Sequence, residues 1–172
     1  MLKKILVPVD GSEHSLKAVE LAADLANKYD AEVILLHVLL RGHVPAGLKK
    51  ALDVELSKSK ARPENLVVIP QEIMARVEDK NTATLSADAL DFIARHVLSR
   101  VKQICKDAGV KKVTERVEEG NPTRHILNIA ESAKVDMIVM GSRGLSELKG
   151  LLVGSVSSKV SHLCTCTCVT VK

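Results

Sequence analysis

The chain has 172 residues, of which 46% are hydrophobic, and its formal net charge is +4. That length suits one domain, and the hydrophobic content is too high for a disordered chain. Aromatic residues make up only 1%, so the core must be aliphatic, as in a parallel sheet covered by helices. No apolar run reaches the roughly 20 residues that cross a bilayer, and Pro8 interrupts the run near the start. These features predict a cytoplasmic protein without a membrane span.

The positive charge is concentrated between residues 41 and 62, where six Lys or Arg residues accompany two carboxylates. A basic stretch attracts nucleic acid or anionic lipid, but binding of single strands usually adds aromatic platforms, and none accompanies this stretch. We therefore expect a solvated face here and no nucleic-acid partner.

Three of the four cysteines, Cys164, Cys166 and Cys168, lie within five residues. They are too close together to close long loops as disulfides, which indicates a reducing compartment. Alternation places them on one face of a predicted strand, where they would be small reduced hydrophobic residues. A soft-metal site, or a redox contact across a dimer, is the alternative interpretation.

Apolar runs and helix caps predict an alternating series of strands and helices. Ser12 is a predicted N-cap, Gly109 is expected to end a long helix, and Asn121 with Pro122 begins another. The predicted strands cover 4–9, 32–38, 112–118, 136–140 and 164–171, and the predicted helices cover 13–28, 89–108, 122–133 and 155–163.

Helices between consecutive strands imply parallel pairing with right-handed crossovers. The sequence therefore predicts an α/β fold, a doubly wound, five-stranded parallel sheet with helices on both faces. The strand at 112–118 mixes polar and apolar residues, which is typical of an exposed edge. Residues 41–84 are a variable basic insertion between the second strand and the next helix, with a short helix expected at 46–58.

Two loops at strand ends hold the candidate ligand-binding residues, because doubly wound sheets bind ligands beyond the carboxyl ends of their strands. One loop is Pro8-Val-Asp-Gly-Ser12, and the other runs from Gly141 through Gly144 to Gly154. Glycines let backbone N–H groups approach a ligand, and the helix that begins at Ser155 adds partial positive charge. The second loop therefore predicts a phosphate cradle, although on spacing alone such glycines are more often simple turn residues.

The same loops resemble a known family. Gly141-x2-Gly144-x9-Gly154-Ser155 resembles the nucleotide motif of the ATP-binding universal stress proteins, whereas the P-loop and dinucleotide glycine motifs are absent. Further similar segments are Ile5-Leu-Val-Pro-Val-Asp-Gly-Ser12, His37-Val38 and Asp136-Met-Ile-Val-Met-Gly-Ser-Arg-Gly144. The resemblance implies a single universal stress protein domain over 1–172, with a Rossmann-like fold of the adenine nucleotide alpha hydrolase-like type.

The resemblance also implies roles for twelve matching residues. Four would contact the adenine and ribose, four would wrap the ribose and phosphates, and four would hold the phosphates. In that order they are Pro8, Val9, Asp10 and Val38; Met140, Gly141, Arg143 and Gly144; and Gly154, Ser155, Val156 and Ser157. The implied cofactor is ATP, with Mg2+ or Mn2+ at the phosphates. No residue is assigned as catalytic or as a metal ligand of the protein itself.

Members of this family are commonly dimers that pair their last strands, which implies a homodimer through the C-terminal strand here. The family strand usually reads as Pro followed by aliphatic residues, whereas this chain has Cys166-Thr-Cys-Val-Thr-Val171. The strand is therefore more polar than the family pattern.

Several of these residues also have simpler structural interpretations. Asp10 is able to cap the following helix instead of contacting a ligand. His37 lies in an apolar strand and is interpreted as a hydrogen-bonded core histidine. The six histidines show no H-x3-H spacing for a metal, and no Ser/His/Asp constellation for nucleophilic catalysis can be assembled.

The leading hypothesis is an ATP-binding, nucleotide-dependent regulatory protein of the stress response, with a downstream protein partner that the sequence does not identify. One alternative is a slow ATPase or autokinase, in which Asp10 and Mg2+ position the phosphates. Another is a dimerisation module that binds AMP or cyclic AMP. The N-type ATP pyrophosphatases share this architecture, but their Ser-Gly-Gly-x-Asp-Ser loop is missing after the first strand.

Overall fold

The computed structural model describes residues 1–39, 87–144 and 153–172, and within the second range it describes side chains from residue 94 onward. The basic insertion expected at 41–84 and the short helix expected at 46–58 lie outside the described residues. The same is true of residues 145–152, in the middle of the glycine-rich connection.

Five strands alternate with four helices in the part of the chain that the structure describes. The strands are β1 (Lys4–Pro8), β2 (Glu32–Leu39), β3 (Val113–Glu119), β4 (Met137–Gly141) and β5 (Thr167–Val171). The helices are α1 (Glu13–Tyr29), α2 (Ala87–Asp107), α3 (Pro122–Ser132) and α4 (Ser155–Leu163). Each strand and helix predicted in these ranges is confirmed, with small shifts at its ends.

The last strand is shorter than its sequence pattern predicts. Cys164 ends α4, and β5 begins at Thr167, which pairs with Met137, the first residue of β4. A strand can begin only where its neighbour offers a partner, so alternation alone set the boundary too early. The prediction that Cys164, Cys166 and Cys168 share one face of a strand is therefore wrong, since only Cys168 lies in β5. All three side chains still pack against the same hydrophobic core.

The strands form one parallel sheet in the order β3-β2-β1-β4-β5, which confirms the predicted doubly wound, five-stranded sheet. The strand order reverses between β1 and β4. β1 pairs with β2 over five residues, but it pairs with β4 only at Ile5–Met137 and Leu6–Ile138. The sheet therefore separates between β1 and β4 toward their carboxyl ends.

Helices α1 and α2 cover one face of the sheet, and α3 and α4 cover the other. Successive residues of β1 alternate between these faces, so that Ile5 and Val7 pack under α1 and α2, while Leu6 packs with Ile126 of α3 and Val160 of α4. All five side chains are almost completely buried. Burial of an aliphatic side chain of this size contributes about 1.5–3 kcal/mol, so the two apolar cores hold the layers together.

The helix ends lie where the sequence places capping residues. The Ser12 hydroxyl accepts a hydrogen bond from the Ser15 N–H at 3.3 Å, and the Asn121 side chain accepts one from the Arg124 N–H at 3.1 Å. Helix α2 ends just before Gly109, whose φ of +82° lies in the left-handed region that favours glycine. These contacts confirm the predicted caps and the predicted end of α2.

The two edges of the sheet are β3 and β5. Every side chain of β3 is exposed or half-buried, which confirms the predicted exposed edge at this strand. In β5, Thr167 and Thr170 are exposed, and the other three residues are half-buried. No helix within the described ranges is both long and apolar enough to cross a bilayer.

Replacement of the α1 cap should destabilise the fold. Ser12→Ala removes the acceptor for an N–H in the first turn, and we expect the free energy of unfolding to fall by about 1 kcal/mol. Chemical denaturation followed by circular dichroism measures this change. Ser161→Ala is the matched control, because its exposed hydroxyl donates to the Ser158 carbonyl within α4, and we expect a change within about 0.5 kcal/mol. Equal losses in both variants would show that Ser12 does not stabilise α1.

Candidate functional site

A cavity of about 280 Å³ opens at the carboxyl ends of β1 and β4, where the strand order reverses. Doubly wound sheets bind their ligands at this position. Small-molecule sites have volumes of roughly 300–1,000 Å³, so the cavity is close to the lower end of that range. Its walls come from the ends of β1, β2 and β4 and from the first turns of α1, α3 and α4.

All twelve site residues that the sequence predicts line this one cavity. They come from the ends of β1 and β2, from the end of β4 with the residues after it, and from the start of α4. In that order they are Pro8, Val9, Asp10 and Val38; Met140, Gly141, Arg143 and Gly144; and Gly154, Ser155, Val156 and Ser157. The sequence reasoning missed four further wall residues, which are Ser15, Leu36, Pro122 and Ile126.

The periodicity of strands and helices could have identified two of the missed wall residues. Leu36 lies two residues before Val38 and therefore on the same face of β2. Ile126 lies about one turn after Pro122 on α3. The helical pattern assigned Ile126 to the core, which is also true, but it does not show that the first turn of α3 reaches the cavity.

Asp10 follows β1 and forms a tight turn with Ser12. Its Oδ1 accepts hydrogen bonds from the Ser12 backbone N–H at 3.0 Å and from the Ser12 hydroxyl at 2.6 Å. The N-cap of α1 is Ser12 itself, so the interpretation of Asp10 as the helix cap is wrong. Asp10 instead orients the capping residue while it lines the cavity.

His37 fixes the backbone of Val9 beside the cavity. Its Nδ1–H donates to the Val9 carbonyl at 2.8 Å, and the residue is only 9% exposed. Burial lowers the pKa of His37 from its ordinary value of 6.5, and this effect exceeds the opposing effects of the Val9 hydrogen bond and the Asp10 charge. The ring is therefore neutral, which confirms the interpretation of a hydrogen-bonded core histidine.

Close packing accounts for two of the three glycines in the motif. A Cβ at Gly141 would lie 2.9 Å from backbone atoms in the first turn of α1, which cannot move aside. A Cβ at Gly144 would overlap Oδ2 of Asp10. Gly154 has room for a methyl group, whose nearest neighbours would be 3.4–3.5 Å away. None of these three glycines has a positive φ, so the loop requires close approach rather than left-handed backbone.

The N-terminus of α4 presents backbone N–H groups that have no partner within the helix. Its N-cap, Gly154, makes no side-chain hydrogen bond, unlike the N-caps of α1 and α3. The Ser157 hydroxyl donates to the carbonyls of Ser142 and Gly154, at 2.7 and 3.0 Å. An anion at this helix end would therefore meet the backbone N–H of Ser157 rather than its hydroxyl, together with the N–H of Ser155.

No three His, Cys, Asp or Glu side chains in the described ranges are arranged to hold a metal ion. Cys164, Cys166 and Cys168 are free thiols. Burial raises the pKa of Cys168 to about 12 and also raises the pKa of Cys166, and the neighbouring Cys164 contributes to both shifts. Cys166 and Cys168 are therefore protonated at neutral pH and behave as small hydrophobic residues.

The fold and the cavity define a doubly wound α/β protein with a cavity at the point where the strand order reverses. The model of the universal stress protein family matches residues 1–172. Universal stress protein YxiE of Bacillus subtilis is 32% identical over 172 residues, which covers 100% of both chains. The chain therefore belongs to the universal stress protein family.

Solved structures of universal stress proteins have the same fold. UspA from Lactobacillus plantarum has a TM-score of 0.69 at 22% identity, with 99% of this chain and 97% of that chain covered. A universal stress protein in complex with cAMP has a TM-score of 0.61 at 21% identity, with 99% and 97% covered. One from Archaeoglobus fulgidus in complex with dAMP has a TM-score of 0.58 at 16% identity, with 100% and 98% covered. These likenesses establish the fold.

The neutral state of His37 predicts a pH-dependent stability. As the pH falls below about 6.5, the unfolded chain binds a proton at this residue that the folded chain does not, so the free energy of unfolding decreases. His37→Asn removes the titrating group but keeps an N–H donor. We expect this variant to lose less stability than the wild type between about pH 7 and pH 5.

Urea denaturation at the two pH values measures the loss of stability in the wild type and in His37→Asn. His162→Asn is the control, because it makes the same substitution on the exposed side of α4. Identical losses in His37→Asn and the wild type would contradict a neutral, buried His37.

Proposed function

We propose that this chain is an ATP-binding universal stress protein, a nucleotide-dependent regulatory protein of the stress response. The cavity carries this proposal, because one continuous wall combines aliphatic side chains, one carboxylate, one guanidinium and an uncapped helix N-terminus. An adenine nucleotide has an apolar planar base, a ribose with hydroxyl groups and an anionic phosphate chain. Each part of that ligand has a matching part of the wall.

The apolar side of the cavity suits the base. Val9, Leu36, Val38, Ile126 and Met140 supply aliphatic and thioether surface from β1, β2, α3 and β4. Small-molecule sites typically combine such surface with a few polar groups that fix the orientation of the ligand. The base would lie against these side chains, and the resemblance to the family implies that the backbone of Val38 meets its edge.

The polar side of the cavity suits the ribose and phosphates. The N–H groups and dipole at the start of α4 favour an anion, and the exposed Arg143 adds a positive charge beside them. The guanidinium of arginine matches phosphate oxygens with two parallel hydrogen bonds. Asp10 carries the opposite charge, so it suits the ribose hydroxyl groups or a cation bound to the phosphates.

Mg2+ or Mn2+ would bind together with the phosphates. Mg2+ is commonly held by one or two carboxylates plus the phosphates of the ligand, and Asp10 is the one carboxylate among the described wall residues. The described residues contain no preformed set of three metal ligands, which fits an ion that arrives with the nucleotide. When bound, the ion would neutralise phosphate charge next to Asp10.

We propose binding without efficient turnover. Among the described wall residues, Asp10 is the single acid or base, so these residues include no second group that could activate a nucleophile. The complexes of related folds with cAMP and dAMP make AMP and cyclic AMP the natural competitors of ATP in a binding experiment. We further propose that residues 1–172 form one cytoplasmic domain with an insertion at 41–84.

Two glycine substitutions in the same loop test the proposed site. Gly144→Val forces Asp10 out of its position, although Ser12 holds that carboxylate with two hydrogen bonds. We expect ATP affinity to fall at least roughly tenfold, which corresponds to about 1.4 kcal/mol. Gly154→Ala is the comparison, because its methyl group would lie 3.4–3.5 Å from its nearest protein neighbours and leaves Asp10 in place, and we expect a smaller loss than in Gly144→Val.

Calorimetric titration with ATP and Mg2+ measures these affinities, and circular dichroism establishes that each variant is folded. Wild-type affinity in folded Gly144→Val would place the nucleotide outside this cavity. A wild-type protein that binds ATP, AMP and cyclic AMP no better than guanosine nucleotides would contradict the proposed function. Release of labelled phosphate from ATP would reassign the protein as a slow ATPase.

We also propose a homodimer through β5, whose outer edge has no partner strand among the described residues. Light scattering at micromolar concentration should give twice the chain mass of 18.6 kDa. Val171 directs its carbonyl to Ser142 beside β4, so the alternating backbone of Thr170 faces outward. Thr170→Pro should therefore give a monomer, whereas Thr170→Val, which keeps the N–H, should stay dimeric. A monomeric wild type would contradict the proposal.

A further inference from the structure

Ser142 lies near the start of the glycine loop, yet it is not part of the cavity wall. Its neighbours on both sides, Gly141 and Arg143, line the cavity. Ser142 itself is only 1% exposed, and its polar atoms bond to elements behind the loop. A buried polar side chain at such a position needs hydrogen-bond partners, because an unpaired one would be costly.

Ser142 has hydrogen-bond partners in three different elements. Its N–H donates to the carbonyl of Val171, the last residue of β5, at 2.7 Å. Its carbonyl accepts from the Gly154 N–H and from the Ser157 hydroxyl, each at 2.7 Å, at the start of α4. Its hydroxyl lies 3.0 Å from Nδ1 of His14, in the first turn of α1. One buried residue therefore joins the loop to β5, α4 and α1.

We propose that Ser142 and His14 are positioning residues for the nucleotide cavity, which hold the glycine loop from behind without touching the ligand. The nature of the ligand rests on the proposed function, whereas the geometry of the hydrogen bonds does not. The backbone around Gly141 and the N-terminus of α4 approach the phosphates from two directions. Gly141 precedes Ser142 in the chain, and the N-terminus of α4 is hydrogen-bonded to the Ser142 carbonyl. Ser142 therefore fixes the distance between these two parts before the ligand binds.

Helix α1 also contacts Gly141, the residue before Ser142. Gly141 packs so closely against the first turn of α1 that a Cβ would lie 2.9 Å from the backbone of His14 and Ser15. Helix α1 thus supports the loop at two successive residues, by van der Waals contact at Gly141 and by a hydrogen bond at Ser142. Residues 141 and 142, held in this way, lose little conformational freedom when a ligand binds, which increases affinity.

The hydroxyl of Ser142 is its only side-chain link, since its other three hydrogen bonds use backbone atoms. Ser142→Ala therefore removes the bond to His14 alone. His14→Leu removes the same bond from the other side. We expect each variant to bind ATP roughly three- to tenfold more weakly than the wild type, as for the loss of one neutral hydrogen bond. The double variant should be no weaker than either single one, because both changes remove the same contact.

His14→Asn separates the hydrogen bond from simple packing. Asparagine and leucine have nearly the same shape, but asparagine places a polar atom where Nδ1 of His14 stands, two bonds from Cβ. We expect His14→Asn to bind ATP within about twofold of the wild type, although His14→Leu does not. Ser161→Ala and His162→Leu, on the exposed side of α4, are matched controls that should not change affinity.

The exchange rate of the Gly154 amide is a second measurement that needs no ligand. This N–H donates to the Ser142 carbonyl, so its protection from hydrogen exchange reports whether the loop keeps its position. We expect faster exchange in Ser142→Ala and His14→Leu, and wild-type exchange in His14→Asn. NMR spectra of each variant give these rates and also show whether the variant folds. If Ser142→Ala does not fold, His14→Leu and His14→Asn still test the positioning role.

Each outcome has a defined meaning. Wild-type ATP affinity in His14→Leu and Ser142→Ala would overturn the proposal, and so would an equal loss in His14→Asn and His14→Leu. If the wild type binds no adenine nucleotide, the proposed function fails, and the Gly154 amide then tests the positioning role separately. Unchanged exchange of that amide in all variants would overturn the positioning role as well.

Discussion

β1 and β4 exchange backbone hydrogen bonds over only two residue pairs, Ile5–Met137 and Leu6–Ile138. Beyond Leu6 the two strands have no further pairing with one another, although β1 continues to pair with β2 as far as Pro8. The chain leaves β1 toward α1 on one face of the sheet, and after β4 it leads to α4 on the other. The gap between the two strand ends is therefore a necessary product of the winding, and the loops on either side form its walls.

Asp10 and Gly144 meet across this gap, one from the β1 side and one from the β4 side. Their contact is so close that position 144 has no space for a Cβ, while Ser12 holds the carboxylate in place. A negative group thus lies opposite the positive end of α4 and Arg143. A simple anion would be repelled by Asp10. A ligand with hydroxyl donors next to its anionic group, or with a bound cation, satisfies both charges, and this favours a nucleotide over free phosphate.

Sequence patterns predicted the layers and the two loops at the strand ends because these depend on local order along the chain, whereas the resemblance to the family supplied the twelve wall residues. Apolar runs mark the strands, caps such as Ser12 and Asn121 mark the helices, and the glycine spacing marks the loop after β4. Ser142 and His14 gave no such signal. They lie 128 residues apart, and only the approach of α1 to the end of β4 makes their contact. The early start predicted for β5 failed for a related reason, since the neighbouring strand sets that boundary.

The two described ends of the glycine loop are bonded to the sheet and to a helix. Gly141 pairs with Val171 in the register of β4 and β5, and the Ser142 N–H adds one more bond to Val171 beyond the end of β4. The carbonyl of the same Ser142 accepts from Gly154, the N-cap of α4. The two described ends of the connection are thus joined through one residue. The same Ser142 bond to Val171 brings the last residue of the outer strand β5 within one residue of the cavity wall.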